Sequence, residues 1–280
     1  MTPGTLAWNG ISFHPCGLPL RRLDPDSAVL GDGADAVQLR WKRLSGPFRP
    51  ERHLKRLFGR GARPEIHEGS PANGFHCVYF ETPDLCGSVL HHPGSGMVVE
   101  LQHAPGALPE SLIPSIKDHS AGDTVPWRVF DIAARLPARW LLRSSAFRPG
   151  HFKLVFEVVG RRRVPESPKK GGRRPAEVRL ERFAPADALL GKKTLAEWAS
   201  GIWKKEPLPD EADDDGAVRW DVRPSLLRRM MPGTAFRRGV VHLSQGHNAI
   251  LATLLRGRKP FDDDFSRITE NYGIVPTEEG

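Results

Sequence analysis

Apolar and polar residues alternate along several short stretches of this chain, and Gly, Pro, Asn or Asp bound each stretch. That is the pattern of half-buried strands joined by turns. Val37-Gln-Leu-Arg-Trp-Lys-Arg-Leu predicts one such strand and Val178-Arg-Leu-Glu-Arg-Phe another. A helical pattern follows each. The first begins at Pro50, a residue suited to the opening helical position. The second begins at Thr194, with Glu197 at the spacing of a capping box. Phe75-His-Cys-Val-Tyr-Phe and Gly87-Ser-Val-Leu read as the arms of a hairpin around Thr82-Pro-Asp. Gly239-Val-Val-His-Leu and Ala249-Ile-Leu-Ala-Thr-Leu-Leu read as a second hairpin around Gln245-Gly-His-Asn, since Gly, Asn and Pro supply turn conformations.

The order Trp, apolar strand, basic strand, helix, hairpin occurs twice, opening at Trp8 and at Trp127. It predicts an α+β chain of two similar units, residues 1–124 and 125–280. Each would be a mainly antiparallel sheet with one or two short helices, because the links between strands are too short for crossover helices. The second unit carries two insertions, a basic one at 161–175 and an acidic one at 206–215. The alternative is that alternating strands match by chance. The corner Leu136-Pro-Ala-Arg-Trp140 resembles the opening strand of the Mog1/PsbP-like α+β family. The resemblance covers a short piece of each copy. It implies small binding or assembly modules, present here as a tandem duplication, and no catalytic residues.

Composition narrows the class. A length of 280 residues suits one large or two ordinary domains. With 28 Gly and 26 Pro the chain is expected to be turn-rich, with few long helices. Three cysteines make no disulfide framework, which points to a reducing, cytoplasmic setting. No apolar run approaches membrane-spanning length, and the first ten residues have neither the basic nor the apolar segment of a signal peptide.

The formal net charge is +8. Residues 161–175 hold seven basic residues and one acid, Glu166, so this one stretch carries +6 and leaves +2 for everything else. Its three prolines and lack of apolar periodicity predict a mobile loop. Arg161, Arg162, Arg163, Lys169, Lys170, Arg173 and Arg174 are candidates to meet DNA or RNA phosphates by counterion release, or an acidic protein face, or only solvent. The loop holds no aromatic residue for base stacking. Arg52, Lys55 and Arg56 fall on one face of the first predicted helix, either as a second anion-contacting face or as an ordinary solvated one. The acidic run Glu206–Asp215 reads as a flexible linker.

Candidate chemistry is sparse. Gly31-Asp-Gly-Ala-Asp-Ala fits the letters of a dinucleotide loop, but a strand pattern follows it where a helix is required, so it reads as a hairpin turn. Cys77 and Cys86, with His91 and its neighbours His76 and His92, are the only cluster with metal-ligand chemistry. They are either a zinc site or buried thiols on opposite hairpin arms. His242, Ser244 and His247 read as turn residues. Trp198 and Trp203 lie five apart on the second predicted helix, so one of them is expected on the surface. No catalytic set, cofactor loop or resident metal motif emerges. The expected function is a non-catalytic interaction or assembly protein that binds another protein or protein complex through a pseudo-symmetric tandem-repeat body. Nucleic-acid binding through residues 161–175 is the alternative, and an enzyme with an undeclared site, around His76, Cys77 and Cys86, stands third.

Overall fold

The computed structural model describes residues 4–58, 64–158, 175–225 and 235–275. The chain divides into two compact units between Phe130 and Asp131. It is α+β with antiparallel sheets, and among the described residues no helix is long and apolar enough to cross a membrane.

The first unit runs β1 (Leu6–Trp8), β2 (Ile11–Phe13), β3 (Leu20–Asp24), β4 (Ser27–Leu30), β5 (Val37–Arg43) and α1 (Pro50–Phe58). It continues through β6 (Glu65–Ala72), β7 (Phe75–Glu81), β8 (Cys86–His92), β9 (Met97–His103), α2 (Leu112–Ser115), β10 (Lys117–Asp118) and β11 (Thr124–Val129). Its main sheet has the order β3-β4-β5-β9-β8-β7-β6, so the last strand of the second meander closes on the last strand of the first. Two Asn-Gly pairs make the tightest turns. Asn9 and Gly10 join β1 to β2, and Asn73 and Gly74 join β6 to β7, all four with positive φ, as a two-residue hairpin turn of right-handed twist requires.

The alternation of β5 decides which layer each residue serves. Val37, Leu39 and Trp41 are buried, and Trp41 meets Phe13 of β2 at a ring distance of 6.4 Å. Arg40 and Lys42 are exposed on the other face, the one covered by α1. That helix is amphipathic: Leu54 is buried, Leu57 and Phe58 are half-buried, and all three pack with Phe80, Val89 and Val98 of the sheet. Burying a leucine-sized side chain is worth about 1.5–3 kcal/mol, which holds a nine-residue helix too short to persist alone.

The second unit runs β12 (Ile132–Pro137), β13 (Trp140–Arg148), β14 (His151–Val158), β15 (Glu177–Phe183), α3 (Ala186–Leu190) and α4 (Leu195–Ile202). It ends with β16 (Val218–Val222), β17 (Phe236–Ser244), β18 (Ala249–Gly257), α5 (Asp262–Glu270) and β19 (Gly273–Ile274). The main sheet has the order β13-β14-β15-β18-β17-β16. One face packs Phe183, Val218, Trp220, Val241, Ile250 and Ala252 against Trp198 and Ala199 of α4. On the other, α5 packs against β12 and β18. The predicted capping box of α4 is present: the Thr194 hydroxyl accepts from the Glu197 amide at 3.2 Å, and the Glu197 carboxylate accepts from the Thr194 amide at 2.7 Å.

The predicted hairpin of Phe75–Phe80 with Gly87–Leu90 is present as β7 and β8, and β6 and β9, which carry no clear alternating signal of their own, extend it on either side. Two expectations need correction. Neither Trp198 nor Trp203 is a surface residue. Trp203 follows the last turn of α4, where the chain leaves the helix, and its ring sits 5.8 Å from that of Trp198 and 6.2 Å from that of Trp220. The acidic run is partly built into the fold, since Asp213 and Asp215 both grip Arg219 of β16, at 2.7 and 2.5 Å, and Glu206 meets Arg237 at 3.2 Å.

Candidate interface for an acidic partner

Residues 40–58 contain seven basic residues and a single acid, Glu51. This second basic cluster equals the 161–175 stretch in net charge, and it is hidden in the +2 because carboxylates elsewhere offset it. β5 and α1 bring five of its members to one side of the first sheet. Arg40 and Lys42 point to the α1 side, and Arg52, Lys55 and Arg56 lie on the exposed face of α1 itself. Arg43 and Arg49 are exposed near the strand end and the helix start.

The carboxylate nearest this cluster is already engaged. Glu100 of β9 stands opposite Arg40 and is held between His53 of α1 at 3.0 Å and the Gln102 amide at 2.7 Å. The His53 hydrogen bond, aided by Gln102 and the nearby Arg40, keeps the Glu100 carboxyl below its ordinary value despite burial. Phe48 stacks on His91 of β8 at 4.7 Å and lies 5.7 Å from His53. The aromatic residues of this region are thus used to seat the helix. None of the seven cations has an ion-pair partner among the described residues, whereas in the second unit Arg139, Arg143, Arg179, Arg182, Arg219, Arg223, Arg237 and Arg238 are all paired with carboxylates. Adjacent unpaired cations repel and add nothing to stability. The fold itself does not require them.

The His53–Glu100 bond carries a testable pH dependence. A carboxylate whose folded value lies below its ordinary one contributes fully above that value and loses the contribution as pH falls through the folded value. His53→Ala is expected to lower stability by about 1–3 kcal/mol at pH 7, and the gap to the parent protein should narrow as pH falls below the ordinary carboxylate range. Urea unfolding at pH 7 and through a descending acid series measures this, and a gap of constant size would refute the role of Glu100.

The other predicted site residues are not brought together. Arg161–Arg163, Lys169, Lys170, Arg173 and Arg174 lie outside the described residues. Cys77 stands opposite Leu90 and Cys86 opposite Glu81, so the two thiols do not face each other across the hairpin. Burial raises the Cys77 thiol, and burial together with Glu81 raises that of Cys86. His91 is pushed below its ordinary value by burial and by His76 and His92. No group of three His, Cys, Asp or Glu among the described residues is placed to hold a metal. Ser244 and His247 touch at 3.1 Å in the turn between β17 and β18. The cations Arg40, Lys42, Arg43 and Arg49 are the residues that the reading of isolated motifs passes over. A sliding charge count over the helix together with the preceding strand finds them. No family model, no curated protein and no solved structure matches this chain.

Proposed function

We propose that the chain is a tandem-repeat interaction protein without chemistry of its own, and that the β5–α1 face of its first repeat docks an acidic protein surface. The observation that carries the reading is the group of five cations, Arg40, Lys42, Arg52, Lys55 and Arg56, that have no ion pair among the described residues and share the α1 side of the sheet, where Glu100 is already hydrogen-bonded to His53 and Gln102. Acidic protein is favoured over nucleic acid because the local aromatic side chains, Phe48 and Phe58, are spent on packing α1 and are not free to stack on bases.

The repeat reading has its own support. Each unit threads a three-strand meander, a helical segment and a second meander whose last strand pairs with the third strand of the first. The registers correspond residue by residue. Setting Val37 against Val178 sets Leu39 against Leu180 on the same strands, and Val89 against Val241 two strands further across. It also sets the cross-strand pair Phe80–Gly87 against Trp220–Gly239. In both, the aromatic ring lies over the glycine, where a Cβ would come within 2.3 Å and 2.0 Å of it. An aromatic covering a cross-strand glycine is a specific sheet device, and chance alternation does not account for it at the same register twice. The Mog1/PsbP-like likeness of Leu136–Trp140 enters this reading as a proposal about ancestry.

Titration of fluorescent polyglutamate and of a single-stranded DNA of equal charge, at 50 and 200 mM salt, tests the proposal. Polyglutamate is expected to bind, and Arg52→Ser, Lys55→Ser, Arg56→Ser in one chain should weaken it at least tenfold. Unchanged binding by that variant would remove the face from consideration. Tighter binding of DNA, with a log–log salt slope of about −0.9 per phosphate contact that is abolished by Arg161→Ser, Arg162→Ser, Arg163→Ser, Arg173→Ser and Arg174→Ser, would instead establish the nucleic-acid alternative.

A further inference from the structure

We infer that β16 is a docking edge that takes an extended, basic peptide segment of a partner protein as an additional strand. This rests on the repeat correspondence and not on the β5–α1 face. By register β16 is the counterpart of β7. In the first repeat β7 is covered on its outer side by β6, with Ile66 opposite Phe80. In the second, among the described residues, β16 pairs with β17 alone and ends the sheet. The position filled by a strand in one repeat is open in the other. A free edge offers backbone donors and acceptors to an incoming strand, and flanking pockets then select its side chains.

The surroundings define the segment. A cleft of about 510 Å³ lies between α5 and the face of β16 and β17 that carries Asp221, Arg238 and Val240, with Phe265 and Thr269 on its α5 wall. The Thr269 hydroxyl on its wall is buried with no hydrogen-bond partner. The charges on the strand itself are spent within the unit. Arg219 is gripped by Asp213 and Asp215, which holds the Asp215 carboxyl down at about 2. Arg223 and Arg238 share Asp221 and Asp262. The charges left over are acidic. Asp210, Glu211 and Asp214 are exposed and, among the described residues, have no cation, and the amide of Asp213 bonds to the Ala217 carbonyl at 2.7 Å at the mouth of the strand. A segment running antiparallel to β16 therefore fits best with an apolar residue opposite Trp220, as Ile66 stands opposite Phe80, and with lysine or arginine at its C-terminal end beside the acidic loop.

The probe is a fluorescein-labelled peptide, Val-Thr-Ile-Thr-Val-Lys-Lys-Lys, added to the full chain. It is expected to bind and to slow amide hydrogen exchange in residues 218–222 at least tenfold. Replacing its lysines by glutamates, or Asp210→Asn, Glu211→Gln and Asp214→Asn in the protein, should weaken binding at least tenfold. Replacing its two threonines by prolines, which remove donors and fix the backbone, should abolish it. The Arg52, Lys55 and Arg56 variant above should bind it unchanged, which separates this inference from the proposed function. Protection that appears elsewhere than 218–222, or equal affinity for the glutamate or proline peptide, would overturn it.

Discussion

Asp264→Ala is expected to lower the stability of the second unit by about 2–4 kcal/mol, a fall in Tm of roughly 5–15 °C. The Asp264 carboxylate lies at the first turn of α5 and is 5 % exposed. It accepts from the Trp140 indole at 2.7 Å and from Arg139 Nε at 2.8 Å, with Arg139 Nη2 at 2.5 Å from its second oxygen. The larger share of the loss comes from Trp140, whose N–H would be left in a site 1 % exposed. Arg139 is half in water and finds other solvation. Asp264→Asn keeps an acceptor for the indole and should cost visibly less. Trp140→Phe removes the donor, so in a double-mutant cycle the two changes should be coupled by more than about 1 kcal/mol. An Asp264→Ala protein within about 0.5 kcal/mol of the parent in urea unfolding would show that the corner at Arg139–Trp140 does not depend on this carboxylate.

The second large effect lies at the paired glycines. Gly239→Val is expected to cost about 3 kcal/mol or more, because the added Cβ would sit 2.0 Å from a carbon of the Trp220 ring and within 2.5 Å of two others. Gly87→Val faces the Phe80 ring at 2.3 Å and also the Leu101 carbonyl oxygen at 2.3 Å. The difference in obstacle predicts a difference in rescue. Trp220→Ala in the Gly239→Val background opens space and should recover part of the loss. Phe80→Ala in the Gly87→Val background should recover little, because the backbone of β9 still blocks the methyls. Calorimetry of the four proteins distinguishes these outcomes, and full recovery at Gly87 would mean that the ring alone enforces the glycine.

Much of the fold is legible along the chain. The alternation in β5 and β15, the apolar arms of β17 and β18 around their Gln-Gly-His-Asn turn, the start of α1 at Pro50 and the capping box of α4 are all local signals, decided by the faces and ends of single elements. β6 was not legible in the same way. Its residues, Glu65–Ala72, are nearly all exposed, so no apolar alternation marks them. The signal available there was the Asn73-Gly74 turn that pairs it with β7. β9 follows a Pro-Gly-Ser-Gly turn and opens with three consecutive buried apolar residues, Met97–Val99, so the alternation of Glu100, Leu101 and Gln102 that follows is too short to mark the strand by itself.

The candidate interface divides along the same line. That Arg52, Lys55 and Arg56 share one helix face follows from a period of 3.6 residues, and the sequence alone determined it. The α+β class and the crowding of basic residues at 40–58 and 161–175 were likewise present in the one-dimensional pattern. Only the tertiary structure decided that Arg40 and Lys42 turn to the side of α1, that Glu100 is hydrogen-bonded to His53, and that Cys77 and Cys86 pass each other by four positions in register. It alone showed that Trp203 folds back beside Trp198, and that among the described residues β16 pairs only with β17 whereas β7 is paired on both sides. Each of these depends on which strand pairs with which and at what offset. A strand's own residues specify its two faces, but its partner and its register are set by contacts between segments far apart in the chain.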